Sequence, residues 1–82
     1  MIVEGTQRKS SRLTLRESEI LAEVAQGRSA KQIAYQVNLA PRTVERYIEN
    51  LRYKLGAKNR THLVTLAVAS GDLVIKEESP AN

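Results

Sequence analysis

Apolar residues recur at helical spacing through the middle of the chain. At about 100° per residue, Ile20, Leu21, Val24 and Ala25 gather on one side of a helix, with Arg16, Glu19, Glu23 and Gln26 opposite. Thr14 with Glu17 three residues on is a capping-box signature, and Gly27 follows the last apolar residue, so a first helix is predicted over residues 15–26. Glu17 falls inside the apolar face, where the N-cap amide is its expected partner. A second capping box, Ser29 with Gln32, opens a short helix over 30–37 with Ala30, Ile33, Ala34 and Val37 on one face, and Asn38 suits the left-handed turn after it. Pro41 fits the first position of a third helix, 41–55, because it has no amide to leave unpaired, and Gly56 closes that helix. Asn59 as N-cap and Gly71 as stop bound a fourth helix over 60–70.

The expected fold class is therefore all-α, with four helices. Only Asn38, Leu39 and Ala40 separate the second and third helices, the turn length of a helix-turn-helix. Ala34, Leu39, Val44 and Tyr47 fall where that motif needs a small crossing residue, a buried turn residue and core contacts. Residues 1–12, with the run Gln7-Arg8-Lys9-Ser10-Ser11-Arg12, carry no sustained apolar period and read as a flexible basic tail or linker. The folded unit is expected over 13–75, and 76–82 as a second flexible tail.

Composition narrows the function. The chain has 82 residues, enough for one small domain, and a domain of that size buries only about 60% of the surface its unfolded chain exposes. A deep substrate pocket is not expected. There is no cysteine and one histidine, His62, which argues against a disulfide framework or a metal site, and no cofactor is expected. His62, Asp72 and the scattered serines form no triad spacing, and no glycine-rich loop cradles a phosphate, so no catalytic residue is assigned and the protein is not expected to be an enzyme. The longest apolar stretch, near Leu63 to Ala69, falls far short of the roughly 20 residues that span a bilayer, and the expected location is the cytoplasm, on the nucleoid, with no membrane partner.

Thirteen Lys and Arg against nine Asp and Glu give a net charge of +4, and its placement says more than its size. Residues 41–62 hold Arg42, Arg46, Arg52, Lys54, Lys58 and Arg60 against Glu45 and Glu49, so this segment alone carries the excess. A local basic stripe is the footprint expected for a polyanion. The third helix divides into an apolar side, Val44, Ile48, Leu51 and Leu55, and a polar side with Arg42, Arg46, Glu49 and Tyr53, flanked by Glu45 and Asn50. A helix of this kind fits the major groove. There Arg46 suits guanine O6 and N7, and Glu45 or Glu49 could accept from cytosine N4. The competing reading is a merely solvated helix face.

The fourth helix is apolar on most sides, since Leu63, Val64, Leu66, Ala67, Val68 and Ala69 spread around the cylinder. One core face cannot cover them all. Either a partner subunit buries the rest, or Leu73-Val74-Ile75 folds back over it.

Leu13-Thr14, Arg16-Glu17, Glu19-Ile20-Leu21, Gly27, Ile33-Ala34, Thr43-Val44, Asn50, Lys54-Leu55 and Asn59-Arg60 together resemble the LuxR-type helix-turn-helix DNA-binding domain, shared by quorum-sensing regulators and NarL/FixJ-type response regulators. The resemblance spans about residues 13–73 and implies a bacterial transcription regulator. In it, the third helix enters the major groove of double-stranded operator DNA and the fourth forms a homodimer; because one helix per subunit makes a small interface, DNA is expected to bring the two copies together. It implies base reading by Glu45, Arg46 and Glu49, and backbone or groove-edge contacts by Thr43, Tyr47, Lys54 and Arg60, to which the charge and face pattern adds Arg42, Asn50 and Lys58. Val64, Leu66 and Val68 are the expected dimer residues, and RNA polymerase is a further expected partner. Ala40 stands where a serine or acidic cap is common, Tyr47 where histidine is frequent, and Glu45 and Glu49 where basic residues are common, so an operator differing from the family's common sites is implied. The alternative function is a protein-interaction module that heterodimerises with another regulator without specific DNA binding. A receiver or ligand-sensing domain of about a hundred residues does not fit before Leu13. A stand-alone effector and a piece of a longer regulator both remain open.

Overall fold

Each helix starts where its capping chemistry places it. In the computed structural model, which describes residues 2–5 and 12–76, the elements in chain order are β1 (Ile2–Gly5), α1 (Leu15–Ala25), α2 (Ala30–Val37), α3 (Pro41–Leu55), α4 (Arg60–Ser70) and β2 (Leu73–Lys76). The Thr14 hydroxyl accepts from the Glu17 amide at 3.1 Å while the Thr14 amide donates to Glu17 Oε1 at 2.9 Å. Ser29 and Gln32 repeat the reciprocal pair at 3.2 and 2.9 Å. Helix α1 ends one residue earlier than expected, because the Gln26 amide is already shared between the Ala22 and Glu23 carbonyls and Gln26 serves as C-cap. Asn38, at φ 58°, makes the left-handed turn into α3.

The core sits on α1, which packs against every other element. Ile20, Leu21 and Val24 meet Ile33 and Ala34 of α2, Val44, Ile48 and Leu51 of α3, and Leu63 and Ala67 of α4, in one cluster completed by Leu13, Ala57, Val3 and Leu73. Arg16 braces α1 against the end of α2 by donating to the Val37 carbonyl at 3.2 Å.

The reading of residues 1–12 as a tail is corrected at its start. Residues 2–5 form β1, which pairs antiparallel with β2 in the register Val3 with Ile75 and Gly5 with Leu73. Directly opposed residues share a face, so Val3 and Leu73 point inward and are buried while Ile2, Glu4, Val74 and Lys76 point outward, with Lys76 and Glu4 paired at 3.4 Å. Lys76, expected to begin the second tail, is the last residue of β2. The run from Gln7 to Ser11 and residues 77–82 lie outside the described residues. Gly5 is where the ribbon touches α1: a Cβ there would stand 2.7 Å from the Ser18 carbonyl oxygen and 2.9 Å from Ser18 Cβ. Only glycine permits that approach.

Glu17 joins α1 to α3. Its carboxylate takes the Lys54 ammonium on both oxygens, at 2.7 and 2.9 Å, and Lys54 also donates to the Arg12 carbonyl at 3.2 Å. The Glu17 side chain is 8% exposed and that of Lys54 37%. Burial by itself pushes the Glu17 carboxyl up, but the hydrogen bonds from Lys54 and Thr14 and the Lys54 charge outweigh it and hold the group below its ordinary 4.5.

Two outcomes are expected. Gly5→Ala should release β1 from α1 at a cost of about 1–2 kcal/mol, seen as faster amide exchange in residues 2–5 and 73–76 with the helical circular dichroism unchanged. Glu17→Gln keeps an acceptor for the Thr14 amide but loses the ion pair, and should cost about 1–2 kcal/mol at pH 7 given the half-open lysine. Because the folded carboxyl titrates below its unfolded value, this stabilisation is present above about pH 4.5 and disappears as the pH falls through the lower folded value. Denaturant curves of wild type and variant should therefore converge as the pH is lowered below about 4.5; a constant gap would remove the ionised pair from the account.

Candidate nucleic-acid interface

Helix α3 is held on one side and open on the other. Val44, Ile48 and Leu51, spaced four and three apart, are buried, and Leu55 packs partly against the same cluster. Arg42, Glu45, Arg46, Glu49, Asn50 and Tyr53 are exposed on the opposite side, and Thr43 and Tyr47 are half-buried at the flanks. Ala34, 3% exposed, lets α2 cross α3 closely, and Leu39 plugs the turn between them. The sequence assigned these positions correctly because a 15-residue helix with strong one-sided periodicity leaves little freedom in which face is buried. Ala40 supplies no side-chain cap to α3; its carbonyl instead accepts from Thr43 and Val44.

The charges are distributed less evenly than the count along the chain implies. Among the described residues, Arg42, Arg46, Lys58 and Arg60 make no ion pair, and neither does Glu45. Lys54, expected on the phosphate backbone, has its ammonium on Glu17. Its charge is largely cancelled inside the fold. Lys58 and Arg60 flank Asn59, whose side chain caps α4 by accepting from the His62 amide at 2.8 Å. The imidazole returns the favour, with Nδ1 accepting from the Lys58 amide at 3.0 Å, so His62 fixes the turn that carries these two cations.

Arg52 is the residue that sequence reasoning counted only as a charge. Its guanidinium grips Glu49 with a two-pronged contact, Nε to Oε2 at 3.2 Å and Nη2 to Oε1. It also donates to the carbonyls of Ala57 at 3.0 Å and Lys58 at 3.4 Å and lies 5.3 Å from the Tyr53 ring centroid. The hydrogen bonds from Arg52 hold the Glu49 carboxyl below the ordinary carboxylate range, and the same contacts raise Arg52. Glu and Arg three apart on a helix was the available signal. The carbonyl contacts beyond the helix end had none.

Helix α4 buries Leu63 and Ala67 completely, while Val64 and Leu66 are half-buried against the core and Val68 is 41% exposed. Leu66 lies about 160° around the helix from Val68, so the three expected dimer residues do not form one patch; Val64 and Val68 share a flank with the exposed Thr61 and Thr65. Part of the apolar surplus is covered by the chain itself, since β2 packs on α4 and Leu73 is 2% exposed. Among the described residues no group of three or more His, Asp or Glu side chains is placed to hold a metal ion, and no helix is long and apolar enough to cross a membrane.

Against known proteins, residues 11–67 match the bacterial regulatory proteins of the luxR family. The chain is 42% identical over 67 residues to the transcriptional activator protein BjaR1 of Bradyrhizobium diazoefficiens, covering 82% of this chain and 28% of that protein. It is 42% identical over 59 residues to the transcriptional regulatory protein FixJ of Rhizobium meliloti, covering 72% and 29%. Among solved structures, the Vibrio cholerae VqmA dimer, a LuxR-type receptor in the absence of target DNA, superposes with a TM-score of 0.69 at 32% identity, covering 83% of this chain and 33% of that one. The chain thus spans a third or less of the length of each of these relatives.

Proposed function

The chain belongs to the luxR family of bacterial regulatory proteins, and from that footing we propose that it is a sequence-specific DNA-binding unit of a cytoplasmic transcription regulator, with α3 in the major groove. The observation that carries this reading is the outward face of α3: a rigidly packed helix presents Arg42, Glu45, Arg46, Glu49 and Asn50 to solvent, with both arginines unpaired. A face built only for solubility gains from ion pairs along the helix. This one leaves Arg42 and Arg46 free beside two further free cations, Lys58 and Arg60, which flank the N-cap of α4.

In this reading Arg46, central on the open face, forks onto a guanine edge, and Glu45 and Glu49 accept from cytosine amino groups. Arg42, Thr43, Tyr47, Asn50, Lys58 and Arg60 set the register on the phosphates. Lys54 serves the fold through Glu17 and leaves the phosphate set. Two copies meet through the Val64 and Val68 flank of α4 about a two-fold axis, which places two α3 helices on inverted half-sites about 10 base pairs apart. One helix per subunit makes a small interface, well under the roughly 1,200 Å² of a stable complex, so DNA supplies the second tether.

Selection of bound sites from random duplex DNA tests the whole reading and should return an inverted repeat. Arg46→Ala should cost about 1–3 kcal/mol at the selected site and relax preference at one base position. Lys58→Ala and Arg60→Ala should weaken all sequences alike and each lower the salt dependence by about one ion, whereas Lys54→Ala should lower thermal stability with little change in salt dependence. Unchanged preference in Arg46→Ala would remove α3 from base reading. For assembly, Val68→Glu places an unpaired charge on the open flank of α4. It should leave the circular dichroism intact and abolish cooperative binding to the inverted repeat while half-site binding persists; wild-type cooperativity in this variant would move the interface elsewhere.

A further inference from the structure

A glutamate on a DNA-facing helix is a liability unless something governs its charge. Glu49 is half exposed on the open face of α3, where a free carboxylate would meet the field of two phosphate strands. It is not free. Arg52 holds both of its oxygens from one side, and the guanidinium is in turn fixed from behind by the Ala57 and Lys58 carbonyls. That backing is itself rigid: Ala57 is buried, its amide returns to the Arg52 carbonyl at 2.9 Å, and the next turn is locked by Asn59 and His62. Arg52 has a side-chain exposure of 28%, against 52% for Glu49. The pair therefore has an inner, anchored cation and an outer, presented anion. An ordinary surface pair three residues apart has two mobile ends.

Each carboxylate oxygen accepts one bond from Arg52 and has further lone-pair capacity for another donor. Resting on the proposal that α3 reads bases, we infer that Arg52 is a positioning residue for readout: it fixes Glu49 as an oriented, charge-compensated acceptor for the exocyclic amino group of a cytosine. Arg52 touches no base. Its effect on specificity passes through Glu49, and its effect on affinity comes from cancelling a charge that would otherwise repel the phosphates. A lysine could cancel that charge but could not span from Glu49 to the two carbonyls with a planar fork.

The test measures base preference of the whole chain on a randomised half-site library for wild type, Arg52→Lys, Glu49→Ala and the double variant, with thermal unfolding of each. Wild type should discriminate on the order of fivefold or more at the position facing Glu49. Arg52→Lys should flatten that position to less than about twofold while leaving affinity for random duplex within about twofold, and Glu49→Ala should flatten the same position. Adding Arg52→Lys to Glu49→Ala should change that position no further, because the two act as one unit. Should Arg52→Lys fail to fold, amide-type exchange of the Arg52 Nε proton in the wild-type protein decides instead: it should be slow, and fast in Glu49→Ala. Wild-type preference in Arg52→Lys, a further loss in the double variant, or equal Nε exchange with and without Glu49 would each overturn the inference. If Arg46→Ala shifts preference and Arg52→Lys does not, only the role of Arg52 falls; if neither does, base reading by α3 falls with it.

Discussion

The carboxylate of Glu17 is the constraint from which the geometry of the domain follows. It begins α1 by capping Thr14, and through Lys54 it fixes the C-terminal half of α3 against α1 and draws in the chain at Arg12. A desolvated ion pair contributes little net stability against an apolar substitute, since desolvation offsets most of the attraction. Its directional demand is another matter. Apolar contacts among Ile20, Leu21, Val44 and Leu51 would tolerate small slides and rotations of α3, whereas a carboxylate gripped by the Thr14 amide and the Lys54 ammonium tolerates few. A helix proposed to present side chains to base edges needs its rotation about its own axis settled, and Lys54 constrains it from the flank of α3 between the buried and open faces.

The same pair shows why part of the site was legible in the sequence and part was not. Helix bounds followed from local chemistry, with capping boxes at Thr14 and Ser29, Pro41, and glycine or asparagine stops, and the buried face of α3 followed from period alone. Partners separated by a long stretch of chain have no local signature. Glu17 and Lys54 are 37 residues apart, so Lys54 read as a free cation and Glu17 as satisfied by its cap. Strand β1 was missed for the same reason: four residues, two of them apolar, contain too short a pattern to signal a strand, and their partner lies about seventy residues further along the chain. The composition of residues 7–12 then masked the distinct start of the segment.

The ribbon changes the meaning of the apolar α4. Viewed as a bare cylinder, the helix has more apolar surface than one core face can hide, and a partner subunit is the simple remedy. In the fold, Leu63 and Ala67 face the core, Val64 and Leu66 lean on it, and Leu73 is buried where β2 packs on α4. What is left open on α4 is a narrow flank around Val68. The two sequence readings are therefore not exclusive: the chain folds back over part of the surplus, and only the remainder is available to a second copy. In the proposed assembly, a contact of that size would depend on DNA to align the subunits.

The two glutamates on α3 complete the physical picture, because they differ in what surrounds them. Glu49 is compensated by an anchored arginine, so in the proposed complex it would add an acceptor to the groove face at little electrostatic cost. Glu45 has no ion pair among the described residues and sits one residue before Arg46. Adjacent helical residues point about 100° apart, so the two do not pair, and Glu45 keeps its full repulsion toward the phosphates until a base donor meets it. A sequence offering that donor relieves the repulsion; one lacking it leaves a desolvated anion in a polyanion's groove. On the proposed reading, discrimination at that position would come chiefly from rejecting wrong bases, with attraction to the phosphates assigned to Arg42, Lys58 and Arg60 at the margins. On that reading, weak general affinity and strict choice would follow from one arrangement of charge.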